Sequence, residues 1–203
     1  ISDLLKSFEK RETKNKKILY DYANSGDWTL TIKLLLDDCI TYGTVPFSIL
    51  ARYAFIANSL LRSLVSRNAL SQERLDEFLN SIDTVASELV IDLDKYFSGL
   101  LSKSDFIKKY GHLRPGTYDI TSKTYSENFD VYFKHKQRNN KKEADLYQEQ
   151  FSLTKTEKGK IRQLLKEYNF SFKVEELFDF SIKAISMREF GKFEFTKSIS
   201  DVF

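Results

Sequence analysis

Apolar residues recur along much of this chain at intervals of three and four, the period of one helix face. Leu4, Leu5 and Phe8, then Ile18, Leu19 and Tyr22, predict a charged helix over 2–22. Its middle, Glu9 to Lys17, is almost wholly polar, so only its ends are expected to pack. After the turn Asn24-Ser25-Gly26-Asp27, a second helix is predicted from about Trp28 to Tyr42. Leu30, Ile32, Leu34, Leu35, Leu36 and Ile40 predict burial over much of its circumference. Gly43 reads as a left-handed stop, with Thr44 capping a third helix over about 45–66 and Pro46 in its first turn. That helix carries Phe47, Leu50, Tyr53, Ala54, Ala57, Leu60, Leu61 and Leu64 on one face.

Leu70, Ser71 and Leu75 form an N-cap with a hydrophobic staple around it. They open a fourth helix predicted to run from Gln72 to about Phe97, with Gly99 just beyond. A short helix at about 103–109 follows, capped by Ser102. The period fails over 110–127, where Gly111, Pro115 and Gly116 fall close together. A brief apolar element at 129–133 precedes a polar loop to about 150. Thr154 with Glu157 is a capping box for a helix to about Tyr168, and a last helix runs from about Val174 onward. The prediction is an all-α, multi-helix fold with one irregular loop near 110–127. It places a helical domain over 1–150 and a C-terminal helical segment over 151–203 that leads into a further domain.

Composition supports that reading. Seven glycines and two prolines in 203 residues are too few for the turns of a β-sandwich. With 41% hydrophobic and 30% charged residues, the chain has the balance of a folded soluble protein rather than a disordered one. No window approaches the roughly 18 consecutive apolar residues that a membrane span needs, so no membrane partner is expected. The net charge of +3 is spread too evenly for a strong nucleic-acid field. The one dense basic run, Lys134 to Lys142, reads as a solvated loop rather than an RNA grip. Cys39 is the single cysteine and reads as a buried thiol, which fits a reducing, cytoplasmic setting. His112 and His135 are the only histidines and no metal-ligand spacing exists, so no metal site is expected. The start at Ile1-Ser2-Asp3-Leu4 and the end at Val202-Phe203 read as cut, and the chain as a piece of a larger protein.

Candidate chemistry concentrates in Tyr110-Gly111-His112-Leu113-Arg114-Pro115-Gly116-Thr117-Tyr118-Asp119-Ile120. The glycines permit sharp turns or close approach to a ligand, and Pro115 keeps Arg114 out of a helical conformation. Arg114 suits a phosphate or carboxylate, His112 suits proton transfer near neutral pH, and Asp119 suits holding either. Alternatively the stretch is a rigid connector whose polar groups satisfy one another. Two lesser candidates are Arg67-Asn68 at a helix junction and Arg188 on the last helix, where Lys192 shares its face.

The eleven residues Tyr110–Ile120 resemble a stretch in the middle region of phosphoenolpyruvate synthase-like proteins, the group that includes pyruvate phosphate dikinase and rifampin phosphotransferase. Arg67-Asn68-Ala69-Leu70-Ser71 with Leu75-Asp76-Glu77-Phe78-Leu79, and Ala184 through Lys197, support the resemblance, which extends over roughly 45–203. It implies a helical acceptor-binding or linker domain. An ATP-grasp domain and a mobile phosphohistidine domain of the same parent chain would be its partners, and ATP and Mg cofactors of that parent but not of this stretch. The comparable loop of rifampin phosphotransferase reads His-Arg-Gly-Pro-Gly-Glu. His112, Pro115 and Gly116 match it in place, the arginine has moved to Arg114, and Thr117 stands where the glutamate would be. That departure argues against a rifamycin acceptor and leaves the small-molecule acceptor unnamed. The resemblance implies catalytic roles for His112, Arg114 and Asp119, and acceptor contacts for Arg67, Asn68, Thr117, Tyr118 and Arg188. The alternative is a non-catalytic helical interaction or scaffold module.

Overall fold

A computed structural model describes residues 2–23, 26–116, 119–134 and 151–202. Thr117, Tyr118 and the basic run from His135 onward lie outside the described residues. The fold is all-α, with no strand among the described residues. The helices are α1 (Ser2–Ile18), α2 (Trp28–Cys39), α3 (Val45–Ser66), α4 (Gln72–Asn80), α5 (Val85–Phe97), α6 (Lys103–Tyr110), α7 (Phe129–Tyr132), α8 (Lys155–Glu167) and α9 (Val174–Ser200). The chain forms two compact units. One is built from Ile1–Ile49, Val85–Lys141 and Phe190–Phe203, the other from Leu50–Thr84 and Lys142–Glu189. The division expected at residue 150 follows the order of the chain, whereas each unit gathers separated segments.

Two predicted boundaries differ. Gly43 does not stop a helix and Thr44 does not cap one: α2, a π-helical turn at Ile40–Thr44 and α3 follow without a break, and the Thr44 hydroxyl donates back to the Cys39 carbonyl. The π turn sits just before Pro46, whose ring lacks a donor and crowds the carbonyl four residues back, and a widened turn absorbs that misfit. Glycine at 43 serves close packing instead, since a β-carbon there would meet the Ser198 hydroxyl at 3.2 Å. The resulting Trp28–Ser66 helix is long and apolar enough, by length and composition, to cross a membrane, although no such window was evident in the chain.

The second difference is a break in the helix predicted over 72–97. Ser81 to Thr84 separate α4 from α5 without a glycine or proline. Ser81 turns its hydroxyl onto the Phe78 carbonyl at 2.7 Å, a local bond that competes with the helix ladder. Ile82 is then buried in the core of the second unit, which holds the break in place.

In the first unit an aromatic cluster forms the core. Phe106, Tyr110 and Phe129 are buried, with Tyr96, Phe133 and Phe193 packed against them. Phe106 has no exposed surface and meets Tyr110, Phe129 and Phe133 at centroid distances of 4.9, 5.7 and 5.6 Å. Along α1 the buried positions are Phe8, Arg11 and Asn15, one face at helical spacing. The polar middle of that helix therefore does pack. On α2 only Leu35 of the predicted apolar set is buried, while Leu30, Ile32, Leu36 and Ile40 stay exposed.

In the second unit Leu61, Leu64, Leu70, Leu75, Ile161, Leu165, Val174 and Leu177 build a largely aliphatic core around the buried rings of Phe78 and Phe178. Both predicted caps form. The Ser71 hydroxyl accepts from the Arg74 N–H, and Thr154 with Glu157 makes a reciprocal capping box. Arg74 ties α4 to this box, donating from Nε to Glu157 at 2.9 Å and lying over the Phe151 ring.

Truncating the fully buried ring should dominate the stability of the first unit. Phe106→Ala is expected to lose ~3–5 kcal/mol, whereas Phe55→Ala, 62% exposed, should change stability by less than about 0.5 kcal/mol. Urea unfolding of both variants checks the contrast.

Candidate functional site

The loop that follows α6 begins at a fixed point. Tyr110 is fully buried and its hydroxyl donates to Asp92 on α5 at 2.9 Å. Lys109 donates to the same carboxylate at 3.0 Å and pairs with Glu88 at 3.1 Å. Burial, with the Asp92 carboxylate added, pushes the Tyr110 phenol up to about 12 against the opposing pull of Lys109.

From there the chain turns and returns alongside itself. Tyr125 N–H donates to the Leu113 carbonyl at 2.8 Å and Ser126 N–H to the Gly111 carbonyl at 3.0 Å. Between these points, Arg114 donates from Nη1 to the Ser122 carbonyl at 2.7 Å. Asp119 accepts from the Thr121 N–H at 2.9 Å, the Thr121 hydroxyl at 2.6 Å and the Ser122 hydroxyl at 2.8 Å. Those bonds hold its carboxyl below the usual range, the Thr121 hydroxyl acting most strongly. At the returning end the Thr124 N–H and hydroxyl both donate to Glu127, and Glu127 N–H donates back to the hydroxyl. The described part of the loop is thus braced by its own polar groups.

His112 sits half-buried, its ring edge-on to Phe193 with centroids 4.7 Å apart. Burial first, then the charges of Lys197 and Arg11, lower its pKa to about 4, against a hydrogen bond with the Phe193 backbone. The ring is therefore neutral at pH 7, and its buried Nε2 meets no hydrogen-bond partner among the described residues. A general acid or base works best with a pKa near the operating pH, and His112 lies well below that.

The other expected site residues are placed as follows. Arg67 lies over the Tyr168 ring at 5.5 Å. Asn68 takes a left-handed conformation (φ 56°) just past the end of α3, and its carbonyl accepts from Lys160 at 3.1 Å. Arg188 pairs with its neighbour Glu189 at 3.2 Å. His112, Arg114 and Asp119 belong to the first unit, whereas Arg67, Asn68 and Arg188 belong to the second. Thr117 and Tyr118 lie outside the described residues.

A buried charge cluster in the first unit escaped the sequence reading. Arg11 on α1 has no exposed side-chain surface. It donates from Nη1 to Asp201 at 3.0 Å and from Nη2 to Glu194 at 3.4 Å. Asn15, one turn along, donates to the same Asp201 oxygen at 2.7 Å. Lys14 reaches Asp38 on α2 at 2.9 Å. The cluster extends to Cys39, whose thiol is pushed up by burial, with Arg11 opposing and Asp201 adding. The available signals were an arginine and an asparagine four apart inside α1, and Asp38 inside an apolar helix. Each alone reads as a solvated side chain.

No protein-family model, no curated protein and no solved structure matches this chain.

Removing one partner of a buried ion pair leaves the others uncompensated. Arg11→Met is therefore expected to cost about 3 kcal/mol at pH 7, read from denaturant unfolding. The lowered pKa of His112 makes a second prediction. Its contribution is complete above the unfolded value of 6.5 and is lost as pH falls from there through about 4. The difference in unfolding free energy between wild type and His112→Gln should shrink by up to about 3 kcal/mol between pH 7 and pH 4. A difference that stays constant over that range would remove the half-buried, neutral imidazole from the account.

Proposed function

We propose that this chain is the helical acceptor-binding or linker domain of a phosphoenolpyruvate synthase-like, ATP-dependent phosphotransferase. The ATP-grasp and phosphohistidine domains of the parent chain would carry out the chemistry there, with ATP and Mg bound by those partners. The family assignment rests on the Tyr110–Ile120 stretch with its two supporting segments. The linker role, rather than acceptor binding, is the one favoured by one observation, the bonding of that stretch to the residues that follow it. Arg114 and Asp119 bind the backbone and hydroxyls of 121–122, and His112 is neutral against Phe193. Groups held in this way shape a corner, and phosphate chemistry enters only where Arg114 leaves Ser122 for an acceptor.

A second reading, a non-catalytic interaction or scaffold module, is favoured by a different feature. Trp28, Ile32, Leu36 and Ile40 recur every fourth residue along α2 and its π turn, and all are exposed, at 60, 42, 39 and 55%. Exposed apolar rows of this kind mark surfaces that pack against another protein.

The parent protein with ATP labelled separately at the β and γ positions separates the two. The family reading expects an acid-labile phosphohistidine and release of AMP; no protein label from either position would overturn it. Arg114→Ala then tests the role of the loop. As a brace, its loss should lower stability by about 1–2 kcal/mol and reduce transfer only in step with unfolding. Abolished transfer in a variant with unchanged stability would instead place Arg114 on the acceptor.

A further inference from the structure

We propose that the second unit carries a binding site for a small aromatic anion, in the cleft between the end of α8 and the start of α9. The cleft encloses about 370 Å³. That is the size of a pocket for a small organic molecule. Leu165 and Val174, 7% and 2% exposed, form its apolar floor.

The turn that closes α8 builds one wall. Asn169 adopts a left-handed conformation (φ 57°), and Phe170 N–H donates back to the Leu165 carbonyl at 2.8 Å. This places Phe170 against Phe172, with centroids 5.0 Å apart. Phe170 remains 44% exposed. An exposed ring on an apolar floor favours a flat, apolar group stacked or edge-packed on it.

Charge sets the other half of the ligand. Arg162 and Lys166, one turn apart on α8, and Lys173 at the head of α9 line the same cleft. All three are exposed, and their side chains donate no hydrogen bond to any described residue. The single carboxylate of the lining, Glu175, pairs with Lys158 at 3.4 Å and also feels the charge of Arg162, which leaves Lys166 and Lys173 without a carboxylate in the lining to answer them. Three cations against one carboxylate favour an anion. Arg162 can grip a phosphate or carboxylate with two parallel bonds, and the lysines add point charge. The α9 terminus itself is not the anion site, because the Lys173 N–H is taken by Glu176 at 2.7 Å. Ring and charge together define an aryl phosphate or aryl carboxylate. This inference is independent of the phosphotransferase reading and of the 110–127 loop.

Phenyl phosphate is the probe, with inorganic phosphate and phenol as its two halves, titrated into the full chain and followed by amide chemical shifts. Saturable shifts centred on residues 162–175 are expected, with phenyl phosphate binding at least about tenfold tighter than either half. Raising the salt should weaken it. Arg162→Gln combined with Lys166→Gln should reduce its affinity by about tenfold or more, as should Phe170→Ala. The proposal fails if phenyl phosphate binds no tighter than inorganic phosphate, or if the shifts arise elsewhere in the chain. The three-probe comparison on the unaltered protein decides this even if a variant fails to fold.

Discussion

A guanidinium with no exposed surface sets the terms for the first unit. Arg11 can be buried only because Glu194 and Asp201 accept from it, and Asn15 shares the second carboxylate. α9 must therefore continue past its aromatic stretch to bring Asp201 back to α1. The same charge reaches beyond its hydrogen bonds. It helps keep His112 uncharged and pulls against the burial that raises the Cys39 thiol. One ion in a low-dielectric interior thus influences the expected site residue and the only cysteine at once.

The second unit is organised differently. Largely aliphatic packing does most of the work, and the polar groups close helix ends or, like the buried Ser181 hydroxyl on the Leu177 carbonyl, bond within their own helix. Ser71, Thr154 and Glu157 satisfy first-turn N–H groups, and Asn68 and Asn169 supply the left-handed residues that end α3 and α8. The turn that orders Phe170 is of this kind, so the aromatic wall of the cleft is a by-product of ending a helix cleanly.

Much of the fold was legible because capping is local chemistry. Ser71, Ser102 and Thr154 act at the positions where their spacing to the following residues put them. What failed depended on distant partners. Gly43 reads as a stop until Ser198 and Phe195 are seen to need its missing side chain. The break at 81–84 has no breaker residue and is held by the burial of Ile82. The middle of α1 reads as solvated because its burial depends on carboxylates about 190 positions away. The loop at 110–127 was recognisable as irregular and polar, but the inward turning of its polar groups follows from Ser122, Thr121 and Phe193, which no motif identifies.

The burial of Cys39 has a practical consequence. A thiol reagent attacks only the exposed thiolate, and here the sulfur is both covered and held protonated. With no second cysteine to compete, each labelling event records one excursion of α2 away from its neighbours. These 203 residues thus carry a single-site clock for local opening, and its rate can be read without introducing any foreign group beforehand.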